Sequence, residues 1–357
     1  MKQNKLRVAS LILVGLATLS ACEEEKVTPL GAFENAAFIV CEGNFGSNDA
    51  SIYAIKNDTL QEEIFAEANG RPLGDVAQSM TIIGDKAYIV VNNSGKIEVV
   101  NINTFKSEGT AKGFSFPRYV AERNDNEIFV STGNVSDNSY VYVVNCSSLE
   151  KTDSVKAGTG PNAMVVSNGK LFVANMGGWS NDSTVTVIDI NSLSVLKTVT
   201  VGDVPADMEI DAQGNVLVLC KGLTKYNYDT EGTYLGEEIV SNSSIVKLDA
   251  SSYAVSTIKS FDHQIALFAE NLMAYNNGTI YYLDGGAYRM SENGGSETKL
   301  MEDVNAYGIS FDSEENKFWV VSTPFSTTHT ATLYNSDGTL VKSYNVGNFP
   351  KMVVFNK

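Results

Sequence analysis

From residue 36 to the C-terminus, short segments rich in Val, Ile, Tyr and Phe alternate with turns containing Asn-Gly, Gly-Asp or Pro. Ala-, Leu- and Glu-rich helical windows are almost absent after residue 80. The apolar positions recur at a spacing of two or in brief unbroken runs, so the segments read as strands. The stretch from Gly158 to Ala206 gives the clearest unit. Gly158-Thr-Gly-Pro161 opens an apolar strand that ends at the turn Asn168-Gly169-Lys170, and Leu171-Phe-Val-Ala-Asn175 follows. The small-residue loop Met176-Gly-Gly-Trp179-Ser-Asn-Asp-Ser183 leads to Thr184-Val-Thr-Val-Ile-Asp189, the turn Asn191-Ser192, and Leu193 to Val201. Gly202-Asp-Val-Pro205 then repeats the opening, so four strands make one repeat of an array.

The second strand of each unit aligns on Val40, Val90, Val130, Val173, Val218, Tyr282 and Val320, at intervals of 50, 40, 43, 45, 64 and 38 residues. Intervals of this size suit four-stranded blades. The preceding turns, such as Gly84-Asp85-Lys86 and Asn276-Asn277-Gly278, supply the positive φ angles of tight hairpins. The interval of 64 places a Tyr- and Gly-rich insertion near Leu223–Glu238, and unit six matches least, with its third strand near Ala287–Met290. At the C-terminus, Gly347-Asn-Phe-Pro350-Lys-Met-Val-Val-Phe355 repeats the blade opening and stops after one strand, while unit one lacks an opening strand. The last segment therefore completes blade one and removes the free sheet edges. The expected fold is all-β: a seven-bladed β-propeller of four-stranded antiparallel blades over residues 36–357, its ring closed by the C-terminal strand.

Composition changes the picture mainly at the N-terminus. Lys2, Lys5 and Arg7 precede an apolar run, Val8 to Leu19, too short to span a bilayer, so residues 1–21 read as a signal peptide. Residues 22–35 carry Pro29 and Gly31 without periodicity and read as an acidic tether. Without the leader the chain has 23 basic against 42 acidic residues, a net charge of −19. Phosphate binding needs a basic face, so nucleic acid is not an expected partner. Besides Cys22, the cysteines are Cys41, Cys146 and Cys220, an odd number far apart in sequence. Cys41 and Cys220 fall at the same strand position of non-adjacent blades. Buried thiols are expected, without a disulfide.

The run Gly-x-x-Pro, Leu171-Phe-Val-Ala-Asn175, Thr184-Val-Thr-Val-Ile-Asp189, Val201-Gly-x-x-Pro205 resembles the seven-bladed propellers related to YncE and to archaeal surface-layer proteins. The resemblance covers about residues 36–357 and is specific for fold rather than function. Leu19-Ser-Ala-Cys22 resembles a bacterial lipobox, in which Cys22 is lipidated and becomes the mature N-terminus. Glu23-Glu24-Glu25 is similar to the acidic export tag of Bacteroidetes surface lipoproteins. Among the surface propellers so marked, BtuG-type lipoproteins capture vitamin B12 beside an outer-membrane transporter. The resemblance implies a lipid-anchored, surface-exposed outer-membrane protein that captures a small ligand, with cobalamin or another corrinoid the specific expectation. It also implies a TonB-dependent transporter as partner.

In a propeller blade, the loop after the second strand and the loop entering the next blade share one face. The first set places Asn44, Phe45, Asn92, Asn134, Asn175, Trp179, Tyr288 and Phe325 there, with Tyr226 from the insertion, and the second adds Arg118. Aromatic rings offer flat apolar area at low entropic cost, and amides offer paired donors and acceptors, so these are the candidate ligand contacts. Each Asn also has a second reading, closure of a turn in left-handed geometry. The only two histidines, His263 and His329, fall on the same face. Two ligands make a weak metal site, and both read as exposed loop residues; neither a metal nor a cofactor is expected.

Catalysis finds little support. No Gly-x-Ser-x-Gly occurs, and two histidines leave little room for lyase chemistry. Asp207, Glu209 and Asp211 alternate along one strand and point one way. A calcium-dependent lactonase or hydrolase would aim them at the pore, but solvent exposure between turns is the favoured reading. The expected function is therefore a non-catalytic binder. The alternatives are a glycan- or protein-interaction propeller in a surface assembly and, below that, the calcium-dependent hydrolase.

Overall fold

The computed structural model describes residues 31–133, 139–265, 269–324 and 328–357. Seven four-stranded antiparallel sheets form the ring. Running outward from the axis, blade one is Pro350–Phe355, Ala37–Cys41, Ser51–Lys56 and Thr59–Gln61. Blades two to four begin with Ala77–Ile83, Pro117–Asn124 and Pro161–Ser167, and blades five to seven with Pro205–Ile210, Met273–Asn276 and Ala306–Asp312. The closing strand is in place: Ala37 lies opposite Phe355, Val40 opposite Met352 and Cys41 opposite Pro350. The weakly patterned sixth blade is a full sheet, its third strand spanning Gly286–Ser291.

The strand sequences follow from their position in a stacked blade. A second strand is covered on both faces by neighbouring blades, so Ala37–Cys41 and Val216–Cys220 are buried throughout and read as unbroken apolar runs. An outermost strand meets solvent, and Lys151–Lys156 and Val195–Thr200 each bury a single valine. Cys41 and Cys220 are buried free thiols at the ends of second strands, and Cys146 is half-buried and also free.

The inner strands of blades one, two, three and five each start the same way. Val76, Phe116, Val204 and Phe349 stand just before them with φ of 63, 50, 55 and 53°. Their carbonyls accept the amides of Asn92, Gly133, Lys221 and Glu42, at 2.7, 3.1, 3.0 and 2.8 Å. Left-handed backbone costs such side chains about 1–2 kcal/mol, and this hydrogen bond to the end of the second strand offsets part of it. Two residues further on, Gln78, Arg118 and Lys351 meet the Glu270 carboxylate. Adjacent inner strands also approach closely: a methyl group on Gly308 would collide with the Lys351 carbonyl oxygen. Gly308→Ala is expected to lower unfolding free energy by about 1–3 kcal/mol, the usual cost of overpacking, as read by denaturant titration.

Two elements lie outside the repeat. The blade-five insertion is a two-stranded hairpin, Leu223–Tyr228 with Tyr234–Ser241, reaching slightly beyond the expected Glu238. A short helix, Ile64–Asn69, follows blade one and buries Ile64 and Phe65. The segment leading into blade one is strapped to the face that carries the hairpin turns: Lys56 Nζ donates to the Ala32 carbonyl at 2.9 Å, and Asn356 Nδ2 to that of Phe33 at 2.9 Å. The proposed leader, Cys22 and all of the tether before residue 31 lie outside the described residues. No helix among the described residues is long and apolar enough to cross a membrane.

Candidate ligand-binding rim and axial channel

The rim formed by the loops after the second strands carries large aromatic rings in solvent. Phe45, in blade one, is 76 % exposed and Trp179, in blade four, 80 % exposed. Their loops are nevertheless pinned. The Asp75 carboxylate accepts the Gly46 amide at 3.0 Å and Asn93 Nδ2 at 2.6 Å. Around Trp179, Gly177 N–H donates to the Thr159 carbonyl at 2.9 Å and Ser180 N–H to that of Gly177 at 2.8 Å, while Asp182 Oδ2 accepts the Thr159 amide at 2.7 Å. The hairpin adds exposed Tyr226, Tyr228 and Tyr234.

The other candidates are placed differently. Asn92 is buried, and its amide donates to the Pro117 carbonyl at 2.9 Å, joining blade two to blade three. Asn175 is fully buried and donates to the hydroxyls of Thr184 and Thr186, both at 2.9 Å. Asn44 is exposed, but its backbone and side-chain N–H groups close a turn on Asp49 at 2.7 and 2.8 Å. Tyr288 is not in a rim loop; it lies within the third strand of blade six and stacks on Tyr282 at 5.5 Å. Arg118 points into the axis. Asn134 and Phe325 fall outside the described residues. His263 bridges Asp262 and Asp284 at 2.7 and 2.9 Å, and its hydrogen bonds to Asp284 and then Asp262 raise its pKa. His329 packs against Phe349, and burial lowers its pKa. Among the described residues no group of three His, Cys, Asp or Glu could hold a metal ion.

At the rim end of the axis lies an ion-paired layer that sequence reading did not assemble. It is built largely from the residues just inside the inner strands, among them Gln78, Arg118, Asn162, Tyr307 and Lys351, with Glu270 supplied by the loop before blade six. Arg118 pairs with Glu270 and donates through Nε to Asn162 Oδ1 at 2.9 Å. Lys351 Nζ bridges Glu270 at 3.0 Å and Glu42 at 2.9 Å. Gln78 Nε2 donates to Glu270 at 2.9 Å, and the Tyr307 hydroxyl to Glu42 at 3.1 Å. Burial alone would raise the Glu270 pKa, but the charges of Arg118, Lys351 and Lys221 outweigh it and hold the carboxylate far below its usual range. Lys221, which donates to the Ala269 carbonyl at 3.0 Å, is pushed down to about 8 by burial.

Beyond this layer, away from the rim, the axis widens into a cavity of about 320 Å³. Asp207 and Glu209 line it, which corrects the expectation of solvent exposure for these two. Asp211 lies past the end of their strand, where it holds the turn amides of Gln213 and Asn215 and pairs with Lys247 at 3.1 Å. Burial pushes Asp207 up to about 7, against the amides of Met273 and Met208 that bond its carboxylate at 2.9 Å. Burial, and then the Asp207 charge, pushes Glu209 up to about 8.

A family model described as a domain of unknown function, DUF5074, matches residues 35–356. No curated protein matches the sequence. Solved structures share the architecture. A quinonprotein alcohol dehydrogenase-like protein from Bacteroides thetaiotaomicron superposes with a TM-score of 0.63 at 17 % identity, covering 91 % of this chain and 79 % of its own. The periplasmic gluconolactonase of Pseudomonas aeruginosa does so with 0.62 at 12 % identity, covering 89 % and 99 %. A functionally unknown protein from Desulfotomaculum acetoxidans gives 0.63 at 12 % identity, covering 90 % and 99 %. At these identities the likeness is one of fold.

Proposed function

Given that the chain belongs to the DUF5074 family and folds as a seven-bladed propeller, we propose that it is a non-catalytic binding protein whose loop rim captures a small ligand at the cell surface. The observation that carries this reading is the pair of exposed rings, Phe45 and Trp179, on loops held rigid by their own hydrogen bonds. An aromatic ring left in water gains nothing for the fold, whereas covering it by a ligand removes apolar area at about 25 cal/mol per Å². A pinned loop loses little entropy when it binds. A broad, nearly neutral, amide-fringed molecule suits such a rim, and the resemblance seen in the sequence makes cobalamin or another corrinoid the ligand of choice. The same resemblance supplies the rest of the reading: a lipid anchor at Cys22 on the outer membrane, and delivery to a TonB-dependent transporter.

Titration of the purified chain with cyanocobalamin and cobinamide by calorimetry tests the proposal. Saturable heat with a shift in corrin absorbance is expected, and Trp179→Ala should weaken binding about thirtyfold, as for a central aromatic anchor. Absence of both signals would remove corrinoids, and unchanged affinity in Trp179→Ala would move the site off this part of the rim. One feature favours a protein partner as a second reading: the hairpin exposes Leu235, Ile239 and Val240 beside its tyrosines, an apolar surface of the kind found at interfaces.

A further inference from the structure

We propose that the axial cavity is a second binding site, selective for a small organic cation carrying a primary ammonium group. Its volume of about 320 Å³ lies at the small end of the range for small-molecule sites. It is distinct from the loop rim, because the layer of Glu270, Arg118 and Lys351 lies across the axis between them. The inner strands of blades one and three to seven wall it, with Tyr119, Tyr275, Phe311 and Phe355 supplying aromatic surface.

Two carboxyl groups line this space. Asp207 is engaged by backbone amides, but Glu209 has no hydrogen-bond or ion-pair partner among the described residues. A half-buried carboxyl that lines a cavity without a partner lacks compensation, and it is relieved either by protonation or by a cation. The cations nearest along the axis are already engaged: Arg118 with Glu270, Lys351 with Glu270 and Glu42, Lys221 with a backbone carbonyl. Nor does a third acidic, His or Cys side chain complete a metal site among the described residues. An ammonium ion supplies what Glu209 lacks, three donors and a positive charge, and the aromatic walls add cation–π attraction. An anion would bring neither carboxyl the positive charge that its ionised form lacks. A neutral alcohol could hydrogen-bond Glu209 without gaining a charge pair.

Binding is coupled to proton release. Around neutral pH the Glu209 carboxyl holds a proton, which passes to solvent when the ammonium ion takes its place. The ionisable groups facing Glu209 are Asp207 on its own strand and Tyr119 and Tyr275 on the facing strands, with Glu270, Glu42, Arg118, Lys221, Lys351 and Tyr307 in the layer beyond.

The experiment is calorimetric titration of the full chain with n-butylammonium and with its neutral counterpart n-butanol. n-Butylammonium should bind saturably at pH 6.5, with a heat that depends on the ionisation enthalpy of the buffer, while n-butanol should not bind. Glu209→Gln, with its fold checked by circular dichroism, should lose affinity about thirtyfold or more, the loss expected when one member of a buried charge pair is removed. No saturation by n-butylammonium, equal binding of n-butanol, or unchanged affinity in Glu209→Gln would each overturn the proposal. Because the site does not depend on corrinoid capture, failure of either titration leaves the other interpretable.

Discussion

Deleting Pro350 to Lys357 should leave a chain that does not reach a stable folded state. The closing strand pairs with Ala37–Cys41 along its length, and it buries Val353 and Lys351 completely enough that both belong to the interior. Its loss exposes a ladder edge on an entirely buried strand and removes apolar contacts worth about 1.5–3 kcal/mol per large side chain. It also takes Lys351 from between Glu270 and Glu42, leaving Glu270 paired with Arg118 alone and Glu42 without an ion pair among the described residues. Domains of this kind have only about 5–15 kcal/mol to lose. Loss of the cooperative thermal transition and association through the open edge are the expected results, read by circular dichroism and size-exclusion chromatography. A truncated chain that melts like the full one would mean that the ring does not depend on its last strand.

Glu270→Gln is the point substitution with the largest expected effect. The carboxylate is nearly isosteric with the amide, so packing is conserved and the change is one of charge. Among the described residues Arg118 then has no ion-pair partner, and Lys351 retains only Glu42. Removing one member of a buried ion pair costs about 3–5 kcal/mol, because the remaining charge stays out of water. Equilibrium unfolding in guanidinium chloride should show this as a lower midpoint at unchanged slope. The pH dependence gives an independent reading. Glu270 has a depressed pKa in the folded protein, so its contribution is fully present above its unfolded pKa of about 4.3 and falls as acid titrates it toward the folded value. The wild type should therefore lose stability below about pH 4 more steeply than Glu270→Gln. Parallel acid profiles would mean that the Glu270 charge does not contribute as its contacts suggest.

The ring was legible in the sequence because its strongest signal is repeated. Second strands covered on both faces must be apolar throughout, and the turns before them need Asn or Gly, so the pattern returned blade after blade. The unpaired segment ending at Phe355 revealed closure for the same reason. The axial layer repeats in position but not in chemistry: Gln78, Arg118, Asn162, Tyr307 and Lys351 share a place in their blades and little else. Their partner Glu270 sits in a loop before the most degraded repeat. A search for the residue following each opening Pro would have found Arg118, Asn162 and Lys351 together, but not what they bind. The asparagines misled in an instructive way. Asn92 and Asn175 end second strands where a rim loop begins, yet an amide there can also seal a joint with a neighbouring strand, and composition alone cannot separate these uses. Trp179 and Phe45 were easier to place, since a large ring in a loop of small residues has no turn to close.

The strapping of residues 32 and 33 to the turn-bearing face has a consequence for how the molecule is presented. An anchor attached ahead of residue 31 would moor the ring by that side, as a dish is held by its foot. The aromatic loops would look outward to the medium, while the axial cavity would lie toward the mooring, screened from the medium by the Glu270 layer. Two ligands approaching from opposite directions could then be received without competing for the same entrance.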